Sequence, residues 1–460
     1  MRAPVRQMNT GALQWQKEME KGYVSFTKEM KKDYTILIPN MLPMHFTLLD
    51  KVFRNYGLHT ELLLTQGQKI KDTGLKYVHN DTCYPALLII GQFIDALQSG
   101  KYDPHKVALM MFQTGGGCRA SNYINLIRKA VEKAGYGYVP VISFSFAGLE
   151  KHPGFQLSLP MLHRMMYAVL YGDLLLMLRN QCRPYEIKSG ESDRLAQEWI
   201  DRLAKEMGEH RLTYRGVREN YRRIIRDFDA IARAEVKKPR VGVVGEIYVK
   251  YSPLANNNLE DFLVSEGAEV DTPGFLDFCM YCVYDNLMDT RLYGMKKWQY
   301  PAVKLAYRIL LKKQRDIIED IENNSQFDPP TPFDHTVSLI KGYIGAGAKM
   351  GEGWLLTAEM LELAERGIKN IVCTQPFGCL PNHICGKGMM RPIKERNPDI
   401  NIVAIDYDPG ATAVNQENRI KLMLANSKLG ESGGNFSGEK FPPDPFQKTL
   451  GQGKGLSVAG

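Results

Sequence analysis

The chain of 460 residues lacks a long apolar run free of charge. Its most apolar segment, 160–178, contains His163, Arg164 and Asp173, so we expect no membrane span. The first residues, MRAPVRQMNTGALQWQ, contain no signal-peptide core, which argues against secretion. Lysine plus arginine exceeds aspartate plus glutamate by only 59 − 51 = 8. Since we find no basic run that concentrates this excess, we do not expect a nucleic acid partner.

Several common motifs are also missing. We find no repeat of fixed period, and no nucleophile elbow. The glycines at 115–117 follow a strand pattern as a phosphate loop would, but Cys118 and Arg119 replace the Gly-Lys-Ser/Thr ending,. The remaining composition, 44% hydrophobic and 24% charged, is that of a globular protein. Together these features predict a cytoplasmic protein whose thiols stay reduced.

Strand and helix patterns alternate in two separate series. Such alternation is typical of βαβ units in a parallel sheet, so the predicted fold class is α/β, with two doubly wound, parallel-sheet domains and a helical connection. The predicted strands are 34–39, 60–65, 107–113 and 139–145 in the first series, and 239–248, 269–272, 370–374 and 401–406 in the second. The predicted segments are an N-terminal arm (1–33), a first α/β domain (34–159), a helical connection (160–238), a second α/β domain (239–428) and a flexible tail (429–460).

Cysteine is scarce, with eight residues, but three of them share one setting. Cys118 and Cys379 each follow glycine after a predicted strand, and Cys83 precedes a helix that Pro85 opens. Unpaired N–H groups and the dipole at a helix start lower a thiol's pKa and favour the metal-binding thiolate. Loops at the carboxyl ends of strands are where doubly wound sheets bind ligands. The pattern predicts that the three thiols converge in an interdomain cleft; core burial is the alternative.

The other five cysteines are weaker candidates. Cys182 precedes a proline turn, Cys373 lies inside a predicted strand, and Cys385 lies in the helix predicted after Cys379. Cys279 and Cys282 form a single CxxC, whose spacing also fits one face of a helix. A zinc site that combines this CxxC with His383 and Cys385 is a further alternative, although no spacing rule selects it.

Polar residues near the predicted strand ends complete the candidate site. Glu246 is expected to continue the strand that contains 241–244, and Lys349 and Glu352 flank Gly351 before a predicted helix. These three are our candidate catalytic residues, with helix capping and surface charge as the alternatives. Arg119 could screen cluster charge or bind an anionic group. The candidate cofactor-binding residues are Gly116, Gly117, Arg119 and Gly378.

Four segments together resemble one family. They are QTGGGCRASNYINLIRKA (113–130), GEIYVKYSPLANNNLEDFL (245–263), KMGEGWLLTAEM with CTQPFGCLPNHICGKGMM (349–390), and IDYDPGATAVNQENRIKLML (405–424). They resemble the 2-hydroxyacyl-CoA dehydratase superfamily, and within it the activase-related branch and the double-cubane cluster proteins. The resemblance spans most of 34–425 and implies two flavodoxin-like domains with an iron–sulfur cluster in their cleft.

The resemblance implies a choice of clusters. Dehydratase subunits hold a [4Fe–4S] cluster by three cysteines, and Cys83, Cys118 and Cys379 match those positions. Double-cubane relatives hold an [8Fe–9S] cluster by six, for which we add Cys182, Cys373 and Cys385, with Cys279 and Cys282 as rivals. We prefer the [8Fe–9S] assignment at this point because the chain has a surplus of thiols.

The resemblance also implies an activity and partners. It implies a cytoplasmic, oxygen-sensitive enzyme of an anaerobe that accepts a low-potential electron from a separate ATP-hydrolysing iron–sulfur activator. The enzyme would be an oxidoreductase acting on a small molecule, or a lyase that removes water from an acyl-CoA through a ketyl radical. A non-catalytic electron-transfer or scaffold subunit is the alternative of a different class. A homodimer is the family expectation.

Overall fold

The structure is a computed structural model that describes residues 23–79, 82–113, 117–144, 150–209 and 212–431. Most of the predicted arm (1–33) and tail (429–460) lies outside these ranges. Residues 30–33 form a short helix, and the last helix reaches residue 431, past the predicted end of the second domain at 428.

The first half of the chain forms a four-stranded, wholly parallel sheet with the order β2-β1-β3-β4. Each strand agrees with its prediction to within about two residues. The strands are β1 (Thr35–Pro39), β2 (His59–Leu63), β3 (Val107–Phe112) and β4 (Val141–Phe144). The helices are α1 (Met30–Asp33), α2 (Pro43–Asn55), α3 (Gln68–Tyr77), α4 (Tyr84–Gln98) and α5 (Tyr123–Lys133), with 3₁₀ turns at Pro104–Lys106 and Arg119–Asn122.

Three helices follow, where we predicted a helical connection: α6 (Leu159–Cys182), α7 (Glu191–Glu209) and α8 (Tyr214–Asp229). Within the described ranges, α6 alone is long and apolar enough to cross a bilayer by length and composition. This corrects our expectation that no segment would qualify. The most apolar window of α6 is 67% buried inside the protein, where it packs against α2, α7 and α8.

The second half forms another four-stranded parallel sheet, with the order β6-β5-β7-β8. Its strands are β5 (Arg240–Gly245), β6 (Glu269–Asp271), β7 (Asn370–Pro376) and β8 (Asn401–Tyr407). Its α-helices are α9 (Ile247–Tyr251), α10 (Pro253–Asn256), α11 (Leu259–Ser265), α12 (Phe275–Tyr293), α13 (Tyr300–Asn324), α14 (Phe333–Leu339), α15 (Trp354–Glu365), α16 (Met390–Arg396) and α17 (Ala413–Glu431). Shorter turns are the 3₁₀ helices Lys297–Gln299 and Lys387–Met389 and the π-helix Asn382–Gly386.

The strand orders explain where a site can form. Both sheets place the first strand of the half between its second and third strands, so successive connections leave that strand in opposite directions. In such sheets ligands bind beyond the carboxyl ends of the strands where the direction reverses. Those ends lie between β1 and β3 in the first sheet and between β5 and β7 in the second. Cys118 follows β3 and Cys379 follows β7.

Helix α4, which begins directly after Cys83, is held unusually close to α3. A Cβ added to Gly91 would lie 2.1 Å from the Ile70 carbonyl oxygen, and one added to Gly74 would lie 2.3 Å from that of Leu87. The two glycines therefore let the helix backbones touch. Every residue of α4 from Tyr84 to Leu97 is buried, so the start of this helix is fixed firmly in the first sheet's core.

Two elements differ from their predictions. The strand expected over 239–248 ends at Gly245, whose φ of +138° is outside the range of other residues,. A Cβ at Gly245 would lie 2.1 Å from Thr374 Oγ1, so only glycine allows this turn against β7. The helix expected over 383–396 is divided into the π-helix, a 3₁₀ turn and α16, and π-helical turns are often found at functional sites.

Candidate functional site

The loops that carry Cys83 and Cys379 are in direct contact, although they belong to different sheets. The Tyr84 N–H donates a hydrogen bond to the Phe377 carbonyl oxygen at 3.0 Å. Gly378, with φ of +71°, leaves no room for a side chain, because an added Cβ would lie 3.2 Å from Cys83 Cα. These contacts join the start of α4 to the turn after β7 and so bring Cys83 close to Cys379.

Cys118 reaches the same place through the loop before α15. A Cβ added to Gly351 would lie 3.6 Å from Cys118 Sγ and 3.0 Å from Pro381 Cγ. The Gly117 N–H points to Met350 Sδ at 3.2 Å. The loop of residues 350–352 therefore lies between Cys118 and the segment that follows Cys379. The structure thus brings the three predicted loops together from both halves of the chain.

Arg119 lies in the same cluster of loops. Its Nη1 would be 2.8 Å from a Cβ added to Gly378, so the guanidinium covers the turn before Cys379. Its positive charge acts to lower the pKa of the Cys83 thiol, although burial, which raises it, is stronger. Gly117 and Gly378 are both in close contacts of the site, and Gly116 lies outside the described residues.

The thiol pKa values move in the direction opposite to our expectation. Burial raises the pKa of Cys118 to about 12 and also raises those of Cys83 and Cys379. A backbone N–H does stabilise the thiolate at Cys118, as expected at a helix start. The Ala120 N–H donates a hydrogen bond to Cys118 Sγ at 3.4 Å, and this bond lowers the pKa of the thiol. Desolvation outweighs it. Only Cys83 precedes a long α-helix; Cys118 begins a 3₁₀ turn, whose dipole is small,.

Two glutamates converge on the start of α9. Glu246 Oε2 accepts a hydrogen bond from the Val249 N–H at 2.9 Å, and Glu352 Oε1 accepts one from the Ile247 N–H at 2.9 Å. Both residues are buried. Burial, reinforced by the charge of Glu352, raises the pKa of Glu246 to about 8. Two coupled buried carboxylates oppose each other's ionisation, which favours one proton on the pair at neutral pH.

The glutamate pair faces the thiols. After burial, the Glu246 carboxylate contributes to raising the pKa of all three thiols, and Glu352 does so for Cys118 and Cys379. Glu246 also has the alternative role of a helix cap, because its side chain accepts a backbone hydrogen bond at the start of α9. Glu246 follows the strand that contains 241–244, as predicted, although it begins a helix instead of continuing the strand, and Glu352 lies just before α15.

Lys349 does not point its ammonium group freely into the cleft. It forms an ion pair with Asp289 of α12. A second lysine, which our sequence reasoning missed, is buried behind the glutamate pair: Lys250 Nζ contacts Glu359 Oε1 at 2.8 Å. The positive charge of Lys250 acts on both Glu246 and Glu352. In the sequence, the one feature that links Lys250 to the site is its position four residues after Glu246.

Sequence reasoning also missed Tyr123. Its hydroxyl lies 2.9 Å from Cys83 Sγ, and the residue is buried. Tyr123 begins α5 five residues after Cys118, so the element that carries one thiol also supplies a hydrogen-bond partner to another. Burial raises the pKa of this hydroxyl well above its ordinary value, so it stays protonated.

Two of the three added ligand candidates lie inside regular elements and not in the three contacting loops. Cys182 ends α6 in the helical region, where its Sγ contacts the Phe228 carbonyl at 3.6 Å and Arg233 Nη1 at 3.5 Å. Cys373 is buried within β7, against Asn382 Oδ1 at 3.7 Å. Neither thiol is therefore carried by one of the three contacting loops.

Cys385 and Cys282 lie nearer to the site. Cys385 is in the π-helix, and burial followed by the charge of Glu352 raises its pKa to about 11. Burial, Asp285 and Glu352 raise the pKa of Cys282 to about 12. Cys279 and Cys282 are both on α12, as the helical interpretation of the CxxC predicted. Cys279 is surrounded by Cys282, Asp173 and Asp277.

Across the described ranges, all eight cysteines are free thiols, and no three His, Cys, Asp or Glu side chains are grouped tightly enough for one metal ion. The zinc site considered from the sequence therefore has no such group among these residues. No protein-family model matches the chain, and no curated protein is significantly similar to it. The resemblance consequently stays a hypothesis.

Proposed function

We propose that the chain is an iron–sulfur enzyme that holds its cluster at the interdomain cleft through Cys83, Cys118 and Cys379. The observation that carries the proposal is the contact of three thiol-bearing loops from both sheets around Gly351 and Gly378. Thiolates are the usual protein ligands of iron–sulfur clusters. A cluster separates its ligand sulfurs more widely than a single ion does, because iron and sulfide atoms lie between them.

The surroundings fit such a group. The thiols are largely buried, and a buried thiol with a raised pKa needs a nearby cation to become a thiolate; iron would supply that charge. Gly351 lets its backbone lie against Pro381 beside Cys118 Sγ, and Gly378 lets its backbone lie against the backbone of Cys83. Hydrogen bonds to sulfur and burial are the features that adjust cluster potentials, and the Tyr123 hydroxyl and the Ala120 N–H are placed to make such bonds.

When bound, the cluster would supply one-electron chemistry at low potential and an iron position without a protein ligand. The chain's own residues would manage protons and charge. The Glu246 and Glu352 pair holds one proton at the cleft, which it can give to or take from a bound molecule. Arg119 offsets negative charge, and the loop of residues 350–352 limits the access of water. This proton pair favours an enzyme over a non-catalytic electron-transfer or scaffold subunit.

We place a [4Fe–4S] cluster first, ahead of the [8Fe–9S] double cubane that we preferred from the sequence. The reason is that Cys83, Cys118 and Cys379 lie in contacting loops, whereas Cys182 ends a helix and Cys373 lies inside a strand. The reaction would be either the reduction of a small molecule or the elimination of water from an acyl-CoA. A separate ATP-hydrolysing iron–sulfur activator would supply the electron, as the resemblance implies. We also propose a cytoplasmic homodimer.

The double cubane stays as a second candidate because Cys385 and Cys282 also lie within the electrostatic influence of Glu352. They would bring the number of thiols near the cleft to five. Six are expected from the resemblance, so this candidate requires one further ligand or a rearranged loop.

Alanine variants test the ligand set. We expect Cys118→Ala, purified without oxygen, to lose the visible absorption and electron paramagnetic resonance signals of the cluster. Cys182→Ala, a control that removes a buried thiol outside these loops, should keep both signals. If Cys118→Ala kept the wild-type spectrum, or if Cys182→Ala lost it, the proposed ligand set would be wrong. Cys385→Ala separates the two cluster types, because only the larger cluster should require it.

A further inference from the structure

The turn that joins α12 to α13 and the first half of α13 form an unburied projection, here named the basic tip (residues 290–313). None of these residues is buried, although Asp289 before them and Gln314 after them both are. The turn is fixed by two left-handed residues, Gly294 and Lys296. The tip is therefore an ordered part of the fold whose outer side faces solvent.

The basic tip exposes apolar side chains. Trp298 is 81% exposed, at the end of the projection. Exposed large apolar residues in such number within one short segment mark an interaction surface rather than ordinary surface variation. They are Leu292, Tyr293, Met295, Trp298, Leu305 and Ile309.

The same segment concentrates the positive charge of the chain. It contains seven lysines and arginines and no aspartate or glutamate, a net charge of +7 against +8 for all 460 residues. This corrects our sequence-based statement that no basic run concentrates the excess. Among the described residues, Lys296, Lys297, Lys304 and Arg308 form no ion pair with an acidic side chain. The basic residues are Arg291, Lys296, Lys297, Lys304, Arg308, Lys312 and Lys313.

The charge and the residue types of the basic tip indicate which kind of partner it binds. A symmetric contact between two copies of the tip would bring fourteen like charges together, so the tip is poorly suited to self-association. Five of its seven cations are lysines, and lysine is depleted in protein–protein interfaces. Trp298 and Tyr293 could stack on nucleic acid bases, but the exposed leucine, isoleucine and methionine side chains around them cannot,. Lysine beside tryptophan, tyrosine and aliphatic side chains is typical of surfaces that enter an anionic bilayer interface.

We propose that the basic tip binds the surface of an anionic membrane, with Trp298, Met295 and Leu292 entering the headgroup region and the lysines contacting lipid phosphates. The protein would be attached peripherally, since the tip is too short and too charged to span a bilayer. This inference is independent of the proposed iron–sulfur chemistry, because it requires no occupant of the cleft.

Vesicle flotation tests the inference with the full chain. The probe is a phosphatidylcholine vesicle containing about one quarter phosphatidylglycerol, compared with one of phosphatidylcholine alone. We expect binding to the anionic vesicle only, and loss of binding at about 0.5 M salt, where the screening length is a few ångströms. Lys296→Glu with Lys297→Glu should weaken binding at least about tenfold, and Trp298→Ser should weaken it without changing the charge.

Two controls make the test specific. Lys106→Glu with Lys129→Glu makes the same charge change on exposed residues of the first domain, and it should leave binding near the wild-type level. Leu159→Ser removes another highly exposed apolar residue and should have no effect. The proposal is overturned if the wild type does not float with anionic vesicles, or if the control charge variant weakens binding equally. It is also overturned if light scattering shows self-association that Trp298→Ser abolishes.

Discussion

At the scale of single residues, the buried pair of Glu246 and Glu352 makes stability depend on pH. Burial raises the pKa of Glu246 to about 8 in the folded protein, while the unfolded carboxyl titrates near 4.5. Below about pH 4.5 the carboxyl is protonated in both the folded and the unfolded state, so it does not change the free energy of unfolding. As the pH rises from about 4.5 through 8, the unfolded state releases this proton first, so the folded protein loses stability. Glu246→Gln, which stays neutral and can still accept the Val249 bond, should remove this loss.

We therefore expect Glu246→Gln to stabilise the cluster-free protein by about 1–3 kcal/mol at pH 8, with the gain vanishing towards pH 5. Chemical denaturation at both pH values measures the difference. An equal effect at the two pH values would show that Glu246 is charged throughout, contrary to the shared-proton description.

A second residue-scale prediction concerns Gly378. Gly378 and Gly367 have similar φ values of +71° and +75°, but an added Cβ meets Arg119 and Cys83 only at Gly378, while nothing lies within 4 Å at Gly367. Gly367→Ala should cost about 1 kcal/mol from backbone strain. Gly378→Ala should cost about 1–3 kcal/mol more and should reduce the iron content per chain. Equal losses of stability and unchanged iron content would show that the contact between the loops is unimportant.

The three thiols could be selected from the sequence because turn-forming residues flank each of them. A glycine precedes Cys118 and Cys379, and a proline follows Cys83. The sequence could not predict the direction of their pKa shifts, because desolvation depends on how two distant loops pack. Cys182 shows the limit of the same reasoning. Its proline turn resembles those of the site, but it ends a helix whose partners are other helices.

At the scale of elements, α9 and α15 are joined by the buried ion pair of Lys250 and Glu359. Both side chains are at least 95% buried, and Glu359 Oε2 has no hydrogen-bond partner among the described residues. Lys250→Met should cost about 3–5 kcal/mol, because it leaves a buried carboxylate without a counter-charge.

The double variant Lys250→Met with Glu359→Gln should be less damaging than Lys250→Met alone, since no buried charge is left unpaired. Thermal unfolding of the two single variants and the double variant measures the coupling. Additive losses would mean that the pair does not link the two elements that carry Glu246 and Glu352.

The elements themselves were largely predictable. The apolar runs of β1, β3, β7 and β8 are largely buried, so their signal is strong and local. The end of β5 was not predictable, because the turn at Gly245 depends on contact with Thr374 in another strand. The π-helix at Asn382–Gly386 was missed for a similar reason: the Asn382 side chain donates to the Thr374 carbonyl oxygen at 2.8 Å, an interaction that no periodic pattern reports.

At the scale of the whole molecule, the candidate ligands come from both sheets, so an occupied site should hold the two halves together. A group that binds only the folded state stabilises it by mass action. We expect the cluster-loaded wild type to unfold several degrees above the same protein after iron chelation. In Cys118→Ala, which should not load, chelation should change nothing. Identical unfolding temperatures for loaded and chelated wild type would argue against ligation from both halves.

The architecture of two parallel sheets with helices between them followed from the alternation of patterns along the chain. The contact between the two halves could not be predicted from these patterns, because it depends on single contacts such as the one between Tyr84 and Phe377. The basic tip was also overlooked, since its seven cations are spread over a helix and a turn and become one surface only in the fold.

The most direct test of the central claim is the iron and acid-labile sulfide content of the full chain, purified and analysed without oxygen. The proposed three-thiolate site predicts about four irons and about four sulfides per chain, and loss of both in Cys118→Ala. About eight irons per chain would select the double cubane instead. A chain that contains neither iron nor sulfide after anaerobic purification and reconstitution, or that binds zinc without sulfide, would contradict the account.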